Sequence, residues 1–472
     1  MPTHIDHRDQ SEKAAKRSCL VLSVLIFGVL PFSLLVLGLL LWYGREASGS
    51  RRLQARKSGL TKQGLPVDDS SLNQFYKSRT DPTHTEAWLS VLAIMSSPEF
   101  KSSLDGVAIL FVSSEEPIVP EKEWKEEKVS LAFLEKWKSL HAEIVQLSID
   151  AKAVRFPIVF DSFATMLPQV QESRHVARFL ELQGRVGLRS GDSAVVREGI
   201  DAMLGLSRVP SGDPIMVSQL VSIAIDGIAI GLLKDAIKYD VLNESDLQTL
   251  LPKVQLMLDV GEDWKAALAG ERAMALPIFT DPTKARAAGI LSIPGRSHDA
   301  LLYLELIDVI TDEVQPWDLQ EFKAKLVEFD DRIKEIANAG LLSKFDSILT
   351  LQSAPALGAF GDAFLRRALQ HRIATIAIGL RLYEDRHATL PSSTDLLSDI
   401  PLDLKRLAPT KSNSFGYRLD GYDAKLWGGT FSDVLKISAE PHRPETEGEE
   451  AQSKSNREIW LWEIPSGKKR RK

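Results

Sequence analysis

Ser18–Gly44 reads SCLVLSVLIFGVLPFSLLVLGLLLWYG, and no residue in it carries a charge. About 20 apolar residues at ~1.5 Å rise each are enough to cross a ~30 Å hydrocarbon core as a helix. The run is therefore expected to span a bilayer, and the rest of the chain reads as a water-soluble body hung from it. A secretory signal has an apolar core of about 7 to 15 residues and a small-x-small cleavage site. This run is longer, it ends on Trp42 and Tyr43 where interfacial aromatics belong, and Ala47-Ser48-Gly49 behind Arg45 and Glu46 is a poor cleavage site. An uncleaved anchor is expected. Pro31 removes one backbone donor in mid-span and predicts a kink.

The flanks bear on direction. Arg8, Lys13, Lys16 and Arg17 precede the span, and Arg45, Arg51, Arg52, Arg56, Lys57 and Lys62 follow it. Positive charge alone thus slightly favours a cytoplasmic body, although long domains translocate regardless of flanking charge. Cys19, the single cysteine, precedes the apolar core, whereas a lipoprotein acylation site would follow it. With no thiol in the body, disulfides and thiolate metal sites are excluded there.

The 472 residues are 44% hydrophobic and 26% charged, an ordinary globular composition once the apolar run is set aside. A net charge of −6, mixed in sign along the chain, gives no single-sign field for nucleic acid or for an anionic membrane surface. The basic end, Lys468 to Lys472, follows a Pro-Ser-Gly break and reads as a solvated tail.

Onward from the anchor, Gly49 to Ser71 has no apolar period and reads as a juxtamembrane linker that could open as helix. One helix is predicted over Leu72 to Met95. Val107 to Val112 is a short apolar run that periodicity leaves open between strand and helical turn. A helix is predicted from Glu121 through Leu140. Val176, Phe179, Leu180 and Val186 fall on one helical face, Arg189 to Asp192 is a break, and Val196, Ile200, Met203 and Leu204 mark a second helix, which together predict an antiparallel hairpin. Asp213-Pro214 opens a third helix with Val217, Val221, Ala224, Ile225, Ile228 and Leu232 on one face. Further helices are predicted over Glu262 to Ala275, His298 to Asp312, Asp318 to Ala337 and Gly361 to Asp385, with Leu276 to Gly295 as a long loop. No fixed 34-residue repeat is present. Strand-like pieces follow at Phe415 to Leu419, Ala424 to Trp427, Val434 to Ile437 and Arg457 to Ile464, with Pro441 to Asn456 as a polar loop between the last two.

From Gly361 the order RIATIAIGLRLYEDRHATLP, SDIPLD, FGYRLDGYDAKLWGG and EIWLWEIP resembles the C-terminal part of type II secretion pseudopilins. It looks more like a group of membrane-anchored bacterial proteins of unknown function with such a tail. Arg381, Leu382, Tyr383, Pro391, Pro401, Asp403, Tyr417, Gly421 and Tyr422 carry the likeness. It implies an extracytoplasmic body on an inner-membrane anchor. The chain departs from true pseudopilins in having more than 300 residues between the span and the tail, and no Gly-Phe opening or first-turn Glu in the span. The calcium loop of pseudopilins has as counterpart Asp433 and the scattered Glu445, Glu447, Glu449 and Glu450, which is too sparse for a hard cation wanting six to eight oxygens.

Catalytic signatures are missing. There is no His-Glu-x-x-His, Gly-x-Ser-x-Gly, phosphate-binding loop or dinucleotide glycine pattern. The nine histidines are scattered, and His371 and His387 are too far apart for an i, i+4 ligand pair. Asp68 with Asp69 and Asp330 with Asp331 are adjacent and point apart on a helix. Trp460 and Trp462 share one face of the last predicted strand; two exposed tryptophans could bind a sugar or a partner's strand, but alternation with both faces apolar favours a buried strand.

The expected architecture is mainly α: a cytoplasmic tail (1–17), a transmembrane helix (18–44), a juxtamembrane linker (45–71), a helical-hairpin body (72–355), a small pseudopilin-like α+β module with an antiparallel sheet (356–465) and a basic tail (466–472). The expected function is a single-pass envelope protein acting as a non-enzymatic protein-binding scaffold, with no catalytic, metal or cofactor residue assigned. Membrane lipid and a protein are the expected partners, and nucleic acid is not. The alternatives are an envelope hydrolase with an unrecognised site along Leu276 to Gly295 and an accessory subunit of a secretion machine.

Overall fold

The computed structural model describes residues 30–107, 118–149, 151–162, 165–258, 261–287, 296–311, 319–340, 347–392, 397, 400–402, 415–420, 423–428 and 461–465. Fifteen α-helices lie in this part: α1 Leu30–Lys62, α2 Asp69–Arg79, α3 Thr85–Ser96, α4 Pro98–Ser102, α5 Glu127–Lys136, α6 Lys138–Ser148, α7 Pro168–Ser190, α8 Ser193–Leu206, α9 Met216–Lys238, α10 Glu244–Leu256, α11 Gly261–Thr280, α12 Pro282–Ala287, α13 Ser297–Thr311, α14 Leu319–Asn338 and α15 Ile348–His387.

Local chemistry sets the helix ends. The α7–α8 hairpin turns on Gly191, whose φ of 74° is the left-handed conformation that ends a helix. Asp192 then caps α8, its carboxylate accepting from the N–H groups of Ala194 at 3.1 Å and Val195 at 3.2 Å. Asp68 with Ser71 and Asn243 with Asp246 close reciprocal capping boxes on α2 and α10. Buried Val176, Phe179 and Leu180 give α7 its apolar stripe.

Two hydrophobic cores result. The first gathers α2 to α10 around residues such as Trp88, Phe179, Leu204 and Ile225. The second joins Leu53 and Leu60 of α1 to Trp264 of α11, Tyr303 of α13, Phe329 of α14 and Phe360 of α15. Trp264 stacks on Phe360 with ring centroids 5.0 Å apart and donates its indole N–H to the Ile310 carbonyl at 2.9 Å. α15, 40 residues long, belongs to both cores: Leu357, Phe360 and Phe364 lie in the second, Ile373, Ala377 and Leu380 in the first.

α15 overturns the expected C-terminal α+β module. The predicted helix from Gly361 is the latter part of α15, so the predicted boundary between 355 and 356 falls in mid-helix, beside Pro355. Three short strands, β1 Phe415–Asp420, β2 Asp423–Gly428 and β3 Leu461–Ile464, are described in the antiparallel order β1-β2-β3. They form no module of their own: Ala424, Leu426, Trp462 and Ile464 are buried in the first core with the helices. The expected strand at 434–437 and the loop at 441–456 lie outside the described residues.

Other expectations change as well. The predicted linker is helical through Lys62 within α1. The predicted helix over 72–95 is two, α2 and α3, separated where Asp81 bridges to Val154. The helix expected from Glu121 starts at Glu127 and is likewise divided, at Trp137. The start of the predicted loop at Leu276 continues α11 with Pro277 inside it, and 282–287 form α12. Of the 107–112 run only buried Val107 is described.

Candidate functional site

α1 has two different halves. In the first, Phe32, Leu35, Leu40 and Leu41 are all exposed by 60% or more, and Trp42 and Tyr43 follow. Among the described residues nothing lies within 4 Å of a Cβ built on Gly38 or Gly44. One turn further on the helix is seated on α13. The Glu46 carboxylate accepts from the Ser297 N–H at 3.3 Å and from its hydroxyl, and Gly49 lets Ser297 approach to 3.1 Å of where a Cβ would stand. Arg52 Nη2 is 3.4 Å from His298 Nδ1, Arg56 pairs with Asp308, and Leu53 and Leu60 are buried. Because Ser297 meets residue 46 and Asp308 meets residue 56, α13 runs parallel to α1 and starts level with the end of its apolar half.

Two other described helices, Met216–Lys238 and Ile348–His387, are long and apolar enough to cross a membrane by length and composition. Both line the cores just described, the usual place for an apolar helix of a folded body.

The interface of these two helices holds a cluster of buried polar groups. Ser218, Ser222 and Asp226 follow one another at four-residue spacing on α9, as Arg367, His371 and Thr375 do on α15, and all six are buried. Arg367 Nε donates to Asp226 Oδ2 at 2.6 Å, and His371 Nε2 lies 3.3 Å from the same oxygen. Burial alone would raise the Asp226 carboxyl, but the Arg367 guanidinium and His371 hold it below the usual carboxylate range. Ser222 donates to the Ser207 carbonyl at 2.7 Å. Toward the start of α9 the Ser218 hydroxyl donates to Asp213 Oδ2 at 2.8 Å, and Glu271 Oε1 accepts from the Met216 N–H at 2.8 Å. Among the described residues no cation is paired with either carboxyl, and burial pushes both up to about 7 against those single bonds.

This seam is sealed. The side chains of Asp226, Arg367 and His371 are 1%, 2% and 1% exposed, so no reactant reaches them without separating α9 from α15. Asp226 Oδ1, Arg367 Nη1 and His371 Nδ1 have no hydrogen-bond partner among the described residues. A directional pair in apolar surroundings tolerates few alternative registers. The arrangement restricts how the two helices can seat.

The residues singled out in the sequence are dispersed. Asp68 is an N-cap, and Asp69 pairs with Lys284 at 3.1 Å. Asp331 pairs with Lys334 at 2.9 Å. His387 stacks on Tyr383 at the end of α15, ring centroids 4.1 Å apart, while His371, the other histidine of that helix, is in the seam. Trp462 is buried; Cys19, Asp403, Asp433, Glu445, Glu447, Glu449, Glu450, Trp460 and the basic tail lie outside the described residues. Arg381 fastens the segment after β3 to α15, donating to Glu384 at 2.6 Å and to the Pro465 carbonyl at 2.7 Å while pairing with Asp240. Among the described residues no group of three or more His, Cys, Asp or Glu is placed to hold a metal ion. Comparison of the chain with protein-family models, with curated proteins and with solved structures returned no match.

Proposed function

We propose that the chain is a single-pass membrane-anchored protein whose helical body is a non-enzymatic, protein-binding scaffold. The observation that carries this reading is the division of α1: apolar side chains stand out from the body up to Tyr43, and from Glu46 the same helix is built into the second core. With the uncharged residues 18–29 ahead of it, the apolar half is long enough to cross a bilayer. The buried charges of the α9–α15 seam are enclosed by packing, the setting of a structural pair.

The tail's resemblance to extracytoplasmic proteins supports an inner-membrane location with the body outside the cytoplasm. Alkaline extraction of membranes tests the anchor: the full chain is expected in the pellet, and release into the supernatant would refute it. A reporter fused after Lys472 tests direction, since activity confined to the cytoplasm would overturn the outside assignment. Crosslinking in intact membranes followed by affinity capture tests the scaffold, which recovery of no specific protein would contradict.

A further inference from the structure

We infer that the uncovered face of α9 is a self-association surface, on which a second copy of this chain in the same membrane packs about a two-fold axis along the membrane normal; this rests on the anchoring proposed above. At 100° per residue, every residue of α9 that is not buried falls within one arc of about 140°. From Met216 to Gly231 that arc carries no polar or charged side chain, and its first ion is Lys234. Val217 is 47% exposed and Leu220 38%. A Cβ on Gly227 or Gly231 would meet nothing within 4 Å among the described residues. The remaining sides of α9 are packed on α7, α8 and α15. A helix apolar all round belongs in a core, and a contiguous apolar face left in water marks an interaction site.

Direction and height select the partner. The Asp299 carboxylate of α13 accepts from the Leu349 N–H at 3.0 Å and the Thr350 N–H at 3.2 Å, so α13 and α15 start at one level. Further along, Trp264 donates to the Ile310 carbonyl and stacks on Phe360, so the two helices rise together. Asp226 meets Arg367 and Asp240 meets Arg381, which sets α9 parallel to α15. α9 therefore rises in the same sense as α1. With Asp226 level with Arg367, the apolar arc runs from ~13 Å to ~35 Å beyond the start of α15. The start of α13 is already past Tyr43, at Glu46, so the arc stands clear of a ~30 Å hydrocarbon core and lipid tails cannot cover it.

Two anchored copies share one height and one upward sense, and the closed symmetry open to them is rotation about the membrane normal. That axis brings α9 onto its counterpart in parallel, so each residue of the arc faces its own copy. Ala224, Gly227 and Gly231 lie along the middle of the arc and let two backbones approach, with Val217 and Ile228 to one side and Ile223 to the other. Eight residues on one helix are few beside the ~20–30 residues a side of a stable complex. The surface is too small to hold free bodies together and suits copies whose shared membrane raises their effective concentration.

The test uses the full chain in its membrane, with Cys19→Ser removing the native thiol and Leu220→Cys, Ala224→Cys or Ser139→Cys supplying a single new one. Ser139 is exposed on α6, which packs against α8. Oxidation is expected to give disulfide-linked dimer from the first two at roughly ten times the yield of the third or more. Gly227→Glu should abolish the Ala224→Cys dimer, because each glutamate meets its own copy, and co-expression with a Gly227→Lys chain should restore it. Dimer yields at Leu220 and Ala224 no greater than at Ser139, undiminished crosslinking by the Gly227→Glu chain, or no rescue by Gly227→Lys would each overturn the inference. A photo-crosslinker at residue 228 that captures only a protein of another mass would do the same. Alkaline extraction of the same samples keeps the two readings apart. Crosslinking by a chain released to the supernatant upholds the contact and strikes the anchor, and no crosslinking by a chain held in the pellet does the reverse. Circular dichroism of the Gly227→Glu chain, expected to match wild type because position 227 is open, separates lost contact from lost fold.

Discussion

Asp226 and Arg367, 141 positions apart in the chain, form an ion pair at 2.6 Å with side chains 1% and 2% exposed. Taking such a pair out of water costs several kcal/mol per ion, and the mutual attraction offsets this only while both partners are present. Arg367→Met is therefore expected to destabilise the chain by about 3 to 5 kcal/mol. The double replacement Asp226→Leu, Arg367→Met should recover much of that loss. A double-mutant cycle from urea unfolding of the full chain in detergent checks this; additive single effects would show that the pair is not coupled.

Two buried carboxyls predict an unusual pH dependence. Asp213 and Glu271 ordinarily titrate near 3.8 and 4.5, and in the folded chain both are pushed up to about 7. Between those limits the folded state binds more protons than the unfolded state, so their contribution is fully present below pH 4 and is lost as pH rises through 7, at about 1.4 kcal/mol per pH unit for each group. His141 acts in the opposite sense. Burial lowers it from 6.5 to about 4, so its contribution is lost as pH falls through that interval. Two carboxyls outweigh one imidazole, and stability is expected to fall from pH 5 to pH 7.5. Asp213→Asn with Glu271→Gln should flatten or reverse that slope in urea midpoints measured across the interval.

The seat of α1 on the body divides into strong and weak contacts. Leu53 is 3% exposed, and Leu53→Ala should cost about 2 to 5 kcal/mol of the second core's stability. The Arg56–Asp308 pair is 43% and 24% exposed, so Arg56→Ala should cost less than about 1 kcal/mol. Amide hydrogen exchange along α13 reads both, with marked acceleration expected only for the leucine variant.

Glycines offer a contrast within helices. A Cβ on Gly270 would lie 1.4 Å from the Pro214 carbonyl oxygen, so α11 and the start of α9 would have to separate; Gly270→Ala is expected to cost about 1 to 3 kcal/mol or more. Gly227 of α9 has nothing within 4 Å among the described residues, and Gly227→Ala should stabilise by up to about 1 kcal/mol through helix propensity. Thermal melts of the two variants should move in opposite directions.

Periodicity served the sequence reading best where one face of a helix meets the core. The α7–α8 hairpin could be read because Val176, Phe179 and Leu180 repeat at helical spacing and Gly191-Asp192 carries the chemistry of a stop followed by a start. α10 passed unnoticed although Asn243 and Asp246 spell out its capping box. A proline misled in one place: Pro277 was read into a loop, yet α11 continues through it because packing on both sides outweighs one lost hydrogen bond. The seam is not read from the sequence: the face expected on α9 is the apolar one, and His371 is considered only with His387. Which stripe faces which is decided by the fold across 141 positions, and no local spacing encodes that.

The continuity of α1 into the second core has a mechanical consequence. A body on a flexible leash samples every orientation above its membrane and meets a neighbour at random. On the anchoring proposed above, a body whose own core includes the far end of α1 keeps only lateral drift and spin about one axis, so it would sweep the same surface past its surroundings at a constant height. Encounters with another membrane-bound molecule become a search in two dimensions with the vertical register already set, and inserting a few flexible residues after Gly44 would restore the freedom that this construction removes.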